Sequence, residues 1–458
     1  MNSNEGAWMH DFLSPKLDDD IIFMPFKDKY IVYSPSNNKI SVLGDYSYRV
    51  LKMCNGLNTV SHIAQQVHYT EDEIQEILKK NEIYIDLNRK VQQKEDIRKQ
   101  KYLDCWFSIT NDCNFCCPYC YIDKDSNVFT LEKAFRVIDK LLQACERRNI
   151  NELHIRFAGG EPLLCFGNIE ECVRYTEKIK GKITVRYSII SNGSLITENI
   201  CKWILENNIY ISVSLDGLDE YHDKTRKYRN GKDSFKDVYK SICLLSKHGI
   251  HITVLTTVTM DNLDNLVELG RELVQFRNIN IRYSFEKSVI NHKPALVSEQ
   301  EKLIRILNEC LDLFEDEIQN GNLFFDFSLG NLCFSHKRDR SCGAGVKSIA
   351  VNCDEIVATC GMGLRSGYSG SKEDYYTIVQ NNDCLYNITT LEREKCKECI
   401  WKSVCGGGCV IDNMYYWGVK DSYSPYCETI KAMILRLVRL HGVKMYYLTK
   451  QRSKENDY

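Results

Sequence analysis

The chain has 458 residues and a formal net charge of -2, and its length exceeds what one hydrophobic core usually serves, so two or three domains are expected. Hydrophobic residues at 43% and charged residues at 27% fit an ordinary globular protein and argue against a global affinity for nucleic acid or an anionic membrane. The opening Met1-Asn2-Ser3-Asn4-Glu5-Gly6 lacks the basic-then-apolar pattern of a secretory signal and no apolar stretch reaches membrane-spanning length, which predicts a cytoplasmic protein whose 22 cysteines are metal ligands and buried thiols rather than disulfides.

Residues 20–90 read as a small winged-helix unit. Strands are expected at 21–26, 29–34 and 39–43, helical periodicity runs through Val60, Ile63, Ala64 and Val67, and Thr70-Glu71-Asp72-Glu73 has the capping-box form ahead of Ile74, Ile77 and Leu78. A strand at 83–87 is expected to close the unit. The polar run 92–101 marks a linker, placed at 91–104. From Cys105 strand and helix alternate, with strands near 106–110, 153–157, 185–190, 210–215, 252–258 and 281–285 and amphipathic helices such as 131–144, 173–179 and 235–245 between them. Six β/α units in succession predict an α/β fold built on a partial (β/α)6 barrel over 105–325. After a helical run at 299–318, short glycine- and cysteine-rich segments from Ser341 to Cys427 predict a metal-stapled region over 326–440, with a last helix near 429–440 and a charged tail at 441–458.

Three thiols, Cys113, Cys117 and Cys120, fall in one short loop after the first barrel strand, with no fourth at matching spacing. A four-iron cluster held by three thiolates leaves one iron free to bind a small molecule, while zinc with a distant fourth ligand, or simple packing, are the plainer readings. Gly159-Gly160-Glu161-Pro162, Ser191-Asn192-Gly193 and Ser214-Leu215-Asp216-Gly217 follow the next three strands, where barrel loops converge. The glycine pair lets backbone approach a ligand and Glu161 can accept from an ammonium, or the four residues form a plain turn. A second motif, Cys396-x2-Cys399-x5-Cys405-x3-Cys409, is preceded by Cys342 and Cys360 and followed by Cys427. Seven thiols are too many for one metal. The remaining cysteines, Cys116 among them, sit mostly in apolar runs and read as small buried hydrophobes.

The Cys-x3-Cys-x2-Cys loop resembles the signature of the radical S-adenosylmethionine (SAM) enzymes, and the cysteine-rich region, with its opening Cys342-Gly343-Ala344-Gly345, resembles the SPASM extension of peptide-modifying members. That resemblance implies SAM and three [4Fe-4S] clusters as cofactors. Cys113, Cys117 and Cys120 would hold the SAM-binding cluster, Cys342, Cys360 and Cys409 the first auxiliary cluster, and Cys396, Cys399, Cys405 and Cys427 the second. It assigns Tyr119, Gly159, Gly160, Glu161, Ser191, Asn192, Ser214 and Arg226 to SAM, with Arg226 facing its carboxylate, Ser214 its ribose and Tyr119 its adenine. Two departures stand out. Glu355 occupies a position that is usually glycine, and Cys353 is either a further ligand of the first auxiliary cluster or a chance thiol.

The segment around Tyr30-Ile31-Val32-Tyr33, Cys54-Asn55-Gly56 and Thr59 to Ala64 resembles the PqqD-like peptide-recognition domains fused to enzymes of ribosomally made peptides, although a winged helix serves equally for nucleic acid or protein contacts. Such a domain would take a leader peptide as an added strand along an edge near 30–34. The whole then resembles a radical SAM/SPASM maturase that uses a 5'-deoxyadenosyl radical to form thioether cross-links in a cysteine-containing precursor peptide, as sactipeptide and ranthipeptide enzymes do, with a flavodoxin- or ferredoxin-type electron donor and no nucleic-acid or membrane partner. Carbon–carbon or carbon–oxygen cross-linking and sulfatase-maturase-like oxidation remain alternatives, with a zinc-stapled binding module as the reading from a different class. The general base is not identifiable, because too many Asp, Glu and Tyr residues lie near strand ends.

Overall fold

The computed structural model describes residues 14–85, 101–289, 292–364 and 388–456. The first of these segments forms an antiparallel meander, β1 (Ile22–Phe26), β2 (Lys29–Ser34) and β3 (Lys39–Gly44), followed by helices Asp45–Met53, Val60–Val67 and Glu71–Lys80. Thr70 accepts from Glu73 N while Glu73 returns a bond to Thr70 N, the capping box that the spacing predicts. Side chains of β2 divide with a period of two: Val32 joins Val50, Leu51, Ile63, Ile74 and Leu78 in a small local core, whereas Ile31 and Tyr33 face the main core.

Two expectations change here. The edge expected at 30–34 is closed, because β2 is the middle strand and pairs on both sides; β1 and β3 are the outer strands. In place of a strand at 83–87 the chain makes a single turn, Glu82–Tyr84, and Ile85 pairs with Leu17 as one isolated bridge. The remainder of that strand and most of the expected linker lie outside the described residues.

A nine-stranded sheet in the order β10-β9-β8-β7-β6-β5-β4-β11-β12 carries the rest. Its six consecutive parallel strands are those the alternation predicts: β4 (Tyr102–Thr110), β5 (Glu152–Gly159), β6 (Thr184–Ser191), β7 (Tyr210–Ser214), β8 (Ile252–Val258) and β9 (Ile279–Phe285). Leu103, Cys105 and Phe107 of β4 and Leu153, Ile155 and Phe157 of β5 alternate into the core formed with Val137, Ile138 and Leu141 of helix Leu131–Arg148. Three further strands extend the sheet. β10 (Phe325–Leu329) adds parallel to β9, β11 (Ser348–Val351) adds parallel to β4, and β12 (Val357–Ala358) turns back antiparallel on β11. The boundary expected after residue 325 therefore falls inside β10, and the cysteine-rich region lends the barrel sheet an edge strand.

The last helix also differs. It runs Cys427–Asn456, so the segment expected as a charged tail continues it, with Leu440, Val443 and Tyr446 buried. It packs along helix Gln300–Gln319, where Arg439 pairs with Glu315, and onto β2 and β3, where Tyr446 donates to Asp28 at 2.7 Å. Among the described residues no helix is long and apolar enough to cross a membrane.

Candidate functional site

The carboxyl ends of β4, β5, β6 and β7 each deliver one predicted motif to a common rim. In the first loop Cys113 is buried, Cys117 and Cys120 are half-buried and Cys116 is exposed. Neighbouring loops pin it down. Asn114 donates to Ser194 Oγ at 2.8 Å and accepts from Asn192 Nδ2 at 2.7 Å, and Cys116 N reaches Lys227 O at 2.9 Å. Arg229 pairs with Asp112 at 2.8 Å on the other side. Burial pushes the Cys113 thiol up to about 11 and raises Cys117, which Arg226 pulls partly back. Such thiols stay protonated until a metal's charge converts them to ligands, so three of them converging in one loop suit an iron–sulfur cluster. Among the described residues no three His, Cys, Asp or Glu side chains form a single-ion site. In a four-iron cluster each thiolate takes its own iron, so the three need not meet at one point.

Gly159 and Gly160 press against this loop. A Cβ on Gly160 would lie 2.0 Å from Asp112 O, and one on Gly159, whose φ is +136°, 2.1 Å from Thr110 O. Gly160 N and Glu161 N donate to Thr110 O and Asp112 O, both at 2.7 Å. Their Cβ positions thus face backbone, and loop-to-loop contact alone demands glycine. Glu161 is fully buried: its Oε1 accepts from Ser191 Oγ at 2.8 Å and Leu163 N at 3.0 Å, and its Oε2 from Asn192 N at 2.6 Å. Burial nevertheless pushes it up to about 7. Oε2 has a single donor and retains capacity for an ammonium group.

Asp216, which the sequence reading left without a role, organises the β7 loop. It is fully buried; Oδ1 accepts from Thr257 N at 2.9 Å, while Oδ2 accepts from Thr225 Oγ1 at 3.1 Å and from the Tyr119 hydroxyl and faces Arg226 Nε at 2.9 Å. Arg226 lies over the Tyr119 ring, 5.5 Å from its centroid. Tyr119 and Arg226, expected at the adenine and the carboxylate of SAM, come together around a protein carboxylate, and Ser214 sits buried two residues before it. A lone Asp in a loop carries no sequence signal beyond its place at a strand end.

In the cysteine-rich region Cys396, Cys399, Cys405 and Cys427 line one cavity of about 590 Å³, walled also by Trp401, Trp417 and Tyr423. Cys342, Cys360 and Cys409 form a second group, with Cys342 and Cys409 close enough to act electrostatically on Cys360. Burial pushes Cys396 up to about 11 and Cys360 and Cys427 up to about 12, so these sets also need metal charge to ionise. Cys353 belongs to neither. Its thiol donates to Ser108 O at 3.4 Å and Asn127 O at 3.6 Å beside β4, which makes it a packing thiol. Glu355 adopts φ +59°, the left-handed geometry that explains why glycine suits its position, and its carboxylate pairs with Arg136 at 2.8 Å. The region docks on the barrel mouth through Ser288 N to Asp412 Oδ1 at 2.8 Å, Lys287 facing Asp412 at 3.6 Å, and Tyr426 donating to Glu286 O at 3.0 Å. The sequence reading missed these contacts as well.

The family profile described as the Radical SAM superfamily matches residues 107–272, and an uncharacterised protein of Methanocaldococcus jannaschii is 34% identical over 202 residues, covering 44% of this chain and 68% of that protein. The chain belongs to the radical SAM superfamily. Membership carries SAM and a [4Fe-4S] cluster as cofactors, and the three thiols of the loop in this radical SAM protein, with the spare acceptor capacity of Glu161 Oε2 nearby, fit such groups. The radical SAM cyclopropyl synthase TigE of Paramaledivibacter caminithermalis is 25% identical over 353 residues, covering 72% of each chain. A cysteine-type anaerobic sulfatase-maturating enzyme of Clostridium novyi is 25% identical over 365 residues, covering 74% of this chain and 95% of the enzyme. Among solved structures, native anSMEcpe with bound AdoMet superposes with a TM-score of 0.62 at 20% identity, over 75% of this chain and 99% of that one. Streptococcus suis SuiB bound to precursor peptide SuiA does so with a TM-score of 0.52 at 14% identity, over 90% and 98%.

Proposed function

We propose that this chain is a radical SAM maturase of a ribosomally synthesised, cysteine-containing peptide and links Cys sulfur to an α or side-chain carbon as a thioether. The observation that carries the reading is the presence, in one chain, of a three-thiol loop on the barrel rim and seven further thiols in two groups beside the barrel mouth. Likeness to enzymes named for sulfatase maturation and cyclopropyl synthesis, and the fold shared with a protein solved with its precursor peptide, support a peptide substrate.

Bound at Cys113, Cys117 and Cys120, the cluster and SAM supply a 5'-deoxyadenosyl radical able to take hydrogen from an unactivated carbon. The chain's own residues orient SAM: Glu161 Oε2 receives its ammonium, Arg226 its carboxylate and Ser214 its ribose, while Asp216 keeps Arg226 and Tyr119 in place. Cys396, Cys399, Cys405 and Cys427 hold one auxiliary cluster, and Cys342, Cys360 and Cys409 the other. The region 20–90 binds the leader along an outer strand, β1 or β3, and the tether raises the core peptide's effective concentration at the rim.

Each thioether removes one hydrogen from carbon, which the 5'-deoxyadenosyl radical would take as an atom, and one from sulfur, lost as a proton while the remaining electron would pass to an auxiliary cluster. Anaerobically reconstituted protein is incubated with SAM, reductant and the small cysteine-containing peptide encoded beside its gene, and product mass is read after thiol alkylation. Loss of two hydrogens per event together with one alkylatable thiol is the expected result, absent in Cys113→Ala. The likeness to TigE, named a cyclopropyl synthase, favours a second reading, oxidation or cross-linking that spares sulfur. Under that reading the mass falls while every thiol still alkylates.

A further inference from the structure

A guanidinium removed from water needs a counter-charge or a full set of acceptors. Arg393 has neither. It is fully buried, and only Nη1 finds acceptors, the carbonyls of Gly407, of Gly408 at 3.3 Å and of Ser422 at 3.4 Å. Among the described residues Nε and Nη2 have no hydrogen-bond partner and no carboxylate pairs with the guanidinium. The nearest charges that act on it are thiols, Cys396 and Cys405 of one group and Cys409 and Cys342 of the other.

The chain is shaped to keep the side chain there. Cys405 and Cys409 are joined by Gly406, Gly407 and Gly408, all at left-handed φ of +64°, +81° and +79°, and a Cβ on Gly407 would lie 2.6 Å from Arg393 Nη1. Asn413 Nδ2 donates to the Gly407 and Ser422 carbonyls at 3.1 and 3.0 Å, fixing the acceptors that Arg393 shares. The carbonyl of Arg393 accepts from Cys396 N at 2.9 Å, so its backbone also starts the turn that carries a thiol. Arg338, the other arginine near these thiols, is satisfied by the carbonyls of Val404 at 2.9 Å and Ser341 at 3.1 Å. Of these two arginines, Arg393 alone keeps buried hydrogens without acceptors.

We propose that Arg393 is the shared counter-ion of the two auxiliary-cluster sites, its unpaired Nε and Nη2 hydrogens satisfied by metal-bound sulfur of both thiol groups. The proposal rests on the reading of the cysteine-rich region as the seat of two four-iron clusters. Arg393 is then a positioning residue: a fixed cation between two anionic centres favours the more negative, reduced form of each, and removing it lowers both reduction potentials.

The test is an anaerobic redox titration of the reconstituted full-length protein, read by electron paramagnetic resonance with iron and sulfide analysis, for wild type, Arg393→Met and Arg393→Lys. Wild type is expected to hold about twelve iron atoms. Arg393→Met is expected to lower both auxiliary potentials by about 59 mV or more, a tenfold change in reduced fraction at fixed potential, and to leave the SAM-binding cluster unmoved. Arg393→Lys is expected to stay near wild type. Fully loaded Arg393→Met with unchanged potentials, or equal effects in the Met and Lys variants, would overturn the proposal. If Arg393→Met fails to load, retained loading in Arg393→Lys supports it and loss in both overturns it. Wild-type protein holding only the cluster that disappears in Cys113→Ala would overturn the two-cluster reading itself, and the proposal with it.

Discussion

Gly160→Ala places a methyl carbon 2.0 Å from Asp112 O and 2.5 Å from Asp112 C, where ordinary contact begins at 3.4 Å. Both obstacles are backbone atoms, so no side chain can swing aside and the two loops must part by about 1.4 Å. That movement breaks the 2.7 Å bonds from Gly160 N to Thr110 O and from Glu161 N to Asp112 O. Leaving buried partners unpaired costs about 1–3 kcal/mol per group, so the pair amounts to roughly 3 kcal/mol. For a domain of this size that corresponds to a melting point lower by about 6–12 °C. The displaced cysteine loop is also expected to load less iron and bind SAM more weakly. Gly167 provides the contrast: it lies in helix Phe166–Ile179 with nothing within 4 Å of its Cβ position, and Gly167→Ala is expected to be neutral or to stabilise by up to about 1 kcal/mol. Thermal melts of the metal-free proteins, followed by iron analysis and equilibrium dialysis with SAM, decide the matter. A Gly160→Ala protein that melts, loads and binds like wild type would refute the packing argument.

Asp216→Asn leaves the Arg226 guanidinium without its buried counter-charge, so denaturant melts should show a loss of about 3–5 kcal/mol, part of which Asp216→Asn with Arg226→Gln recovers; additive losses would contradict the pairing. Burial raises Glu161 from an ordinary 4.5 to about 7, so the neutral carboxyl is favoured in the folded, ligand-free protein. Its contribution, about 3 kcal/mol, is complete below pH 4.5 and disappears as the pH rises through 7, and Glu161→Gln should remove that part of the stability–pH slope. An unchanged slope between pH 5 and 7.5 would count against it. Glu355→Gly relieves a left-handed strain that Glu355→Ala keeps, while both lose the Arg136 pair, so the glycine variant should be the more stable by about 1 kcal/mol in urea melts. Equal stability would show that no strain resides there.

The six central strands and the cysteine loop were legible because their signals are local. Each strand is a short apolar run set off by an amphipathic helix, and the three thiols fall within eight residues. What escaped was non-local. β10 follows helix Gln300–Gln319 in rhythm but has only five residues, and β11, of four residues, pairs with the open edge of β4 outside that rhythm. The middle position of β2 follows from pairing order, which no periodicity encodes. The last helix is expected near 429–440, yet Gly442 lies mid-helix where the helix crosses β2, and a Cβ there would sit 2.5 Å from Ile31 Cγ2. Asp216 and Arg393 show the same limit at the site. Each is one charged residue among many in the sequence, and its burial, with Asp216 fully partnered and Arg393 only in part, becomes visible only once the fold surrounds it.

The helix Cys427–Asn456 begins on a thiol beside the barrel mouth and meets the N-terminal sheet at Gly442 and Tyr446, so the stretch between them is a rod of about 25–30 Å. A rod does not flex as a linker does, so it sets a constant reach between whatever is anchored on that sheet and the opening of the barrel. On the proposed reading, in which that sheet anchors the leader, the helix acts as a ruler. Residues inserted between the anchor and the reacting cysteine would move the modified position along the peptide rather than abolish modification, and the spacing of the products would report the length of the protein.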